Sequence, residues 1–179
     1  MTNKALNKFG YLLMAATLVF YAAACGHAQT EPKDGHKHTG DHHADVMENG
    51  EKAMGFSQTA TTHHFLLMKD GGAIRVEANE AADKLNRDKI RKHLTGIAAQ
   101  FTEGIFSTPF AVHGSVPPGA TVMEELKSDI EYKYEETENG AQVRISTKNA
   151  KALAAIHSFL KFQIEEHETG DPLKPGEKS

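Results

Sequence analysis

Laid on itself at an offset of 69 residues, the chain repeats: DGGAIRVEA (70–78) falls on NGAQVRIST (139–147), pairing Gly71 with Gly140, Arg75 with Arg144 and Val76 with Ile145. After a three-residue deletion, IRKHLTGIAAQFTEG (90–104) falls on IHSFLKFQIEEHETG (156–170), so that Ile90 meets Ile156 and Leu94 meets Leu160. A duplication of this length constrains the fold strongly. Whatever one copy forms the other forms too, and both have apolar faces to bury.

Each copy reads strand, turn, strand, helix. The dipeptides Asp70-Gly71 and Asn139-Gly140 signal hairpins, because both central residues of a type I′ turn take positive φ. Period-two alternation runs through the flanking segments TTHHFLLMK, AIRVEA, IEYKYEET and QVRIST, as half-buried strands require. Helices are expected over 80–103 and 149–168, with Gly104 and Gly170 as C-terminal stops. The expected architecture is α+β: a two-layer sandwich built from the duplicated ββα unit, an antiparallel four-stranded sheet with two helices on one face. The copies span 53–104 and 122–170 of a single domain over 53–173, joined by the Pro-rich loop IFSTPFAVHGSVPPGATV, with a disordered tail over 174–179.

The first 24 residues read as a signal peptide. Lys4 and Lys8 precede the apolar run YLLMAATLVFYAAAC, which is short and Ala-rich at its end and so suits cleavage better than membrane spanning. It closes on the only cysteine, Cys25, which has no disulfide partner. Three alanines before it resemble a lipobox, which makes Cys25 the lipidation site and places the protein in the cell envelope, anchored on the periplasmic or extracellular side of a membrane. Ordinary cleavage after Ala24 would instead give a secreted soluble protein. Removing residues 1–24 takes away two lysines and no acid, moving the formal net charge from −4 to −6. No basic patch remains for nucleic acid.

Residues 25–52 are polar and acid-rich, without periodic apolar positions. Such a composition predicts a disordered tether, reaching about 30 Å from a lipid anchor. It carries His27, His36, His38, His42 and His43, a tract suited to weak metal scavenging.

The folded part adds His63, His64, His113, His157 and His167, and the offset places Met54 on Met123. In a strand, His63 points toward the helices and His64 away. His167 lies near the centre of the second helix's apolar arc, where the first copy has Phe101, and His157 lies at the arc's edge. Ten residues separate His157 from His167, about 15 Å along a helix, so one ion cannot join them. The candidate metal set is therefore drawn from several segments: His63, His64, His113, His157, His167, Met54 and Met123. Histidine with methionine favours copper, especially Cu(I), and histidine with carboxylate favours zinc. The competing reading treats the histidines as hydrogen-bonded core residues and the methionines as gap fillers. The chain would then be a metal-independent binding or scaffold module that holds a protein or small apolar ligand on its sheet face or the FSTPFAVHGSVPPG loop.

Enzymatic motifs are missing. The sequence has no G-x-S-x-G, P-loop or dinucleotide fingerprint, and neither HEXXH nor CxxC spacing. Glu165, Glu166 and Glu168 beside His167 read as an acidic helix surface. At MGFSQTATTHHF, HGSVPPGATVM and AIHSFLKFQIEEHETGDP, over residues 54–173, the chain resembles a family of small exported bacterial proteins with an MGF-x-Q…TTHHF signature. Some members carry the label aspartate carbamoyltransferase. The S-T-R-T-R type phosphate-binding segment of that enzyme is absent here, so the resemblance implies an exported domain and not that activity.

Overall fold

A computed structural model of the protein describes residues 39–176. In chain order the elements are α1 (Thr39–Met54), β1 (Thr61–Met68), β2 (Gly71–Ala78), α2 (Lys84–Thr102), α3 (Ser107–His113), α4 (Ala120–Glu125), a 3₁₀ turn (Lys127–Asp129), β3 (Ile130–Glu136), β4 (Gly140–Thr147) and α5 (Ala150–Glu166). The four strands form one antiparallel sheet in the order β1-β2-β4-β3. Helix α2 lies chiefly over β4 and β3, whereas α5 lies over β1 and β2. Each helix thus covers strands of the other copy, and a single core joins the two halves.

The duplication is visible in the register. Thr61 pairs with Ala78 in the first hairpin, and Ile130 pairs with Thr147 in the second, the same two positions 69 residues on. Across the centre of the sheet Ile74 pairs with Val143, its own counterpart, so a local two-fold axis passes through that pair. Alternation places Phe65, Leu67, Ile74, Val76, Val143 and Ile145 in the buried core. From the helices, Ile90, Leu94, Ile97 and Phe101 of α2 meet Ile156, Phe159, Leu160 and Ile164 of α5 there.

Both hairpins form, but their turns are not type I′. Met68 pairs with Gly71, leaving Lys69-Asp70 as the loop, and neither Asp70, Asn139 nor Gly140 has positive φ. Close approach of the neighbouring strand requires glycine at both positions, and Gly71 in addition takes φ 149°. A Cβ at Gly71 would lie 2.1 Å from the carbonyl oxygen of Ile145, and one at Gly140 would lie 2.0 Å from that of Val76.

The tether is shorter than expected, since its residues 39–52 belong to α1. Val46, only 1% exposed, and Met47, Gly50 and Met54 recur at helical spacing and make a narrow inward stripe. Gln58 pins it by donating Nε2–H to the Met47 carbonyl at 2.6 Å. A Cβ at Gly50 would stand 2.1 Å from that same Nε2. The helix packs on α3. The predicted signal peptide, Cys25, His27, His36 and His38 lie outside the described residues, as do the last three residues of the tail.

The other boundaries shift for local reasons. Helix α2 starts at Lys84 because Asp83 caps it, accepting from the Asn86 amide at 3.0 Å. Asn149 caps α5 through the amides of Lys151 and Ala152, and α5 ends at Glu166 rather than running to Glu168, which itself takes φ 49°. The Pro-rich connection is not open loop: it folds into α3 and α4, which bury Val112, Ala120 and Met123.

Candidate metal-binding cavity

Between the sheet and the helices, where α1, α3 and the end of α5 converge, lies a cavity of about 60 Å³. That is room for about four or five waters or one ion with its donors, and far less than the ~300 Å³ a drug-sized ligand occupies. Its walls are largely apolar, but four histidines and Met54 also line it.

His63 reaches it from β1 by strand alternation, and His93 from the inward stripe of α2. His113 is the last residue of α3, which Gly114 stops in a left-handed conformation at φ 67°. His167 caps the C-terminus of α5. The rings of His63 and His167 are nearly parallel, 10° apart in tilt with centroids 6.0 Å apart. His113 meets His167 edge-on at 5.1 Å, and Phe56 touches both His63 and His93 at 6.0 and 5.6 Å.

Burial keeps two of these rings, His63 and His93, neutral. Burial pushes the His63 pKa down to about 4, with the nearby His93 and His64 adding to the effect, and burial alone takes His93 to about 4. The Nε2 atom of His63 is buried and finds no hydrogen-bond partner among the described residues. His113 has its Nε2 3.0 Å from Oε1 of Gln163. That carbonyl oxygen can only accept, so Nε2 carries the proton and the ring is oriented from behind, as metal-ligating histidines commonly are. The Nδ1 atom of His113 is 3.9 Å from the Glu166 carboxylate.

Of the seven candidate ligands, the fold gathers four at this cavity: His63, His113, His167 and Met54. The other three are elsewhere. His64 is on the opposite face of β1, where its Nδ1 is 2.9 Å from Asp171. The same carboxylate accepts from the Phe65 amide at 2.8 Å and the Thr169 hydroxyl at 2.7 Å, tying the chain after α5 to the sheet edge. His157 uses Nε2–H to hold the carbonyls of Met68 and Gly71 at 2.9 and 3.0 Å, bracing the first hairpin against α5. Met123 is fully buried in the core and does not line the cavity. His42 and His43 fall within α1. Among the described residues, no three His, Cys, Asp or Glu side chains are grouped to hold one ion as they stand.

The sequence reading missed His93. Its signal was present: Ile90, His93, Leu94, Ile97 and Phe101 share one helical arc, and the angular test that exposed His167 exposes His93 as well.

The two-fold relation gives the cluster its sharpest definition. The repeat counterparts of His63, His93 and His167 are Tyr132, Phe159 and Phe101. Those three pack together, Phe101 edge-on to Tyr132 at 5.7 Å and to Phe159 at 5.9 Å, and Phe101 and Phe159 also line the cavity beside the histidines. Each copy contributes to both sets: His63 and His93 come from the first and His167 from the second, and their aromatic counterparts come the other way round.

No known protein family, curated protein or solved structure matches the chain. Among the described residues, no helix is long and apolar enough to cross a membrane.

Proposed function

We propose that this chain is an exported protein, anchored through a lipid on Cys25, that binds a transition-metal ion, copper or zinc, in the histidine cavity. One observation carries the reading: His63 and His93 of the first copy and His167 of the second are imidazoles where their repeat counterparts, Tyr132, Phe159 and Phe101, are aromatic rings, and the three imidazoles face a space of ionic size. Neutral imidazole is the ligand form of histidine, and burial favours that form at His63 and His93. The cavity has no carboxylate or thiol in its wall, and its one hydroxyl, Thr108, donates to Gln100 at 3.0 Å, so binding suits it better than hydrolysis. The tract of His27, His36, His38, His42 and His43 serves as a weaker collector.

The test compares two full-length variants in chelator competition with Cu(I), Cu(II) and Zn(II). With the tract histidines replaced by asparagine, one tight equivalent remains. With His63 and His167 replaced by glutamine, that equivalent is lost and only weak binding persists. If binding follows the tract alone, the cavity is not a metal site.

A second reading has one observation in its favour. Phe110 and Val116 are 49% and 60% exposed beside a groove under α3 and α4, which suits a metal-independent contact with a protein. Retention of a partner by the His63 and His167 variant would favour it.

A further inference from the structure

We propose that the ion taken by the cavity is monovalent copper, and that it passes between His63 and His167 from a surface groove that contains Met47. The proposal deepens the metal-binding reading and rests on it.

The first argument is charge. No lining residue is an acid or a thiol, so a bound ion keeps its full charge among apolar walls. The cost of removing an ion from water grows with the square of its charge, making a divalent ion about four times as costly here as a monovalent one. Neutral donors offset the smaller penalty far more readily. The second argument is donor chemistry. The available donors are imidazole nitrogens and the thioether of Met54, and soft thioethers select Cu(I). The third is number. Zinc requires four ligands in a tetrahedron, and no group of even three His, Cys, Asp or Glu is assembled among the described residues. Cu(I), with its single charge and soft character, is commonly held by only two or three donors, a number that two of the lining imidazoles and the Met54 thioether would meet.

The route follows from a shared wall. A groove open to solvent is lined by Met47, Gln58, Thr61, Thr62, Glu168 and Thr169 together with His63 and His167, and these two histidines also line the cavity. They form the wall that the groove and the cavity share. Met47 and Met54 are seven residues apart on α1, two helical turns or about 10 Å along one face. One soft donor therefore stands in the groove and another in the cavity.

The experiment uses the full chain with its tract histidines replaced by asparagine, kept anaerobic. Buffered Cu(I), Ag(I) as a redox-inert monovalent probe, and Zn(II) are titrated against it, and copper X-ray absorption reads the ligands. The expected result is one Cu(I) or Ag(I) bound at least about tenfold more tightly than Zn(II), with sulfur in the copper shell that Met54→Leu removes. Met47→Leu lowers the loading rate and leaves final occupancy unchanged. Both substitutions nearly conserve volume, so the fold survives them. Tighter Zn(II) than Cu(I) binding overturns the copper assignment and leaves the metal-binding reading standing, whereas absence of binding by any of the ions overturns both. A copper shell of nitrogen alone overturns the role of Met54. An unchanged loading rate in Met47→Leu overturns the route.

Discussion

Acidification should destabilise this protein before its carboxylates titrate. His63 and His93 have folded pKa values of about 4 against an ordinary 6.5. The unfolded chain thus binds protons that the folded chain refuses. Stability is fully present above pH 6.5 and is lost as pH falls from there toward 4. Between pH 7 and pH 5 each imidazole removes about 2 kcal/mol, together about 4 kcal/mol as an upper figure. Against a typical stability of ~5–15 kcal/mol this is a large share. The groups facing the pair are His167 at the end of α5 and His113 on α3, with His64 beside His63 on β1, Glu166 3.9 Å from His113 and Glu168 in the groove that His63 also lines. Urea unfolding of the metal-free protein across that pH range measures the loss. His93→Phe should remove about half of it, since phenylalanine already occupies the equivalent position at Phe159. A flat profile between pH 7 and 5, or a slope that His63→Phe and His93→Phe both leave intact, would refute buried neutral imidazoles.

Three further outcomes follow from particular contacts. His157→Leu strands the carbonyls of Met68 and Gly71, costing about 1–3 kcal/mol in denaturant unfolding while leaving metal affinity unchanged. Asp171→Ala frees the Phe65 amide on the outer edge of β1; hydrogen exchange at that amide should accelerate, and protection equal to the parent's would show that the carboxylate does not close the edge. Gly119 has φ 85° and a Cβ there would stand 2.2 Å from the Ala155 carbonyl oxygen. Gly119→Ala should therefore lower stability by about 1–3 kcal/mol in a thermal melt, more than an alanine at Gly96, where nothing lies within 4 Å.

The fold was legible where periodicity and repetition agreed. Alternation in TTHHFLLM assigned His63 inward and His64 outward, and the duplication implied equal register in both hairpins, as found. What escaped depended on single long-range contacts. Helix α1 rests on a stripe of few apolar residues that the polar composition masks, and on a hydrogen bond from Gln58, 11 residues beyond its acceptor. The turn type escaped because both glycines answer to a neighbouring strand, and the φ of 149° at Gly71 lies outside the type I′ range. His64 and His157 matched the ligand profile, but their partners, Asp171 and the Met68 and Gly71 carbonyls, are 107, 89 and 86 residues away in the chain.

The asymmetry between the two sets of equivalent positions is the strongest reason to read the cavity as functional. Packing alone would favour the same solution twice, because the strands share a register and the helices cross reciprocally. Phe101, Tyr132 and Phe159 represent that solution, packed edge-on. At the equivalent positions, imidazoles replace them, with a buried nitrogen that has no hydrogen-bond partner among the described residues at His63. Leaving such a group unsatisfied costs about 1–3 kcal/mol, and depressed pKa values add instability in acid. A donor-seeking ligand offsets both penalties, since it fills the lone pair and binds only the folded state. The hydroxyl of Tyr132, the counterpart of His63, is likewise buried without a hydrogen-bond partner among the described residues, so the difference between the two positions is the set of imidazole nitrogens beside the cavity rather than the unsatisfied atom itself.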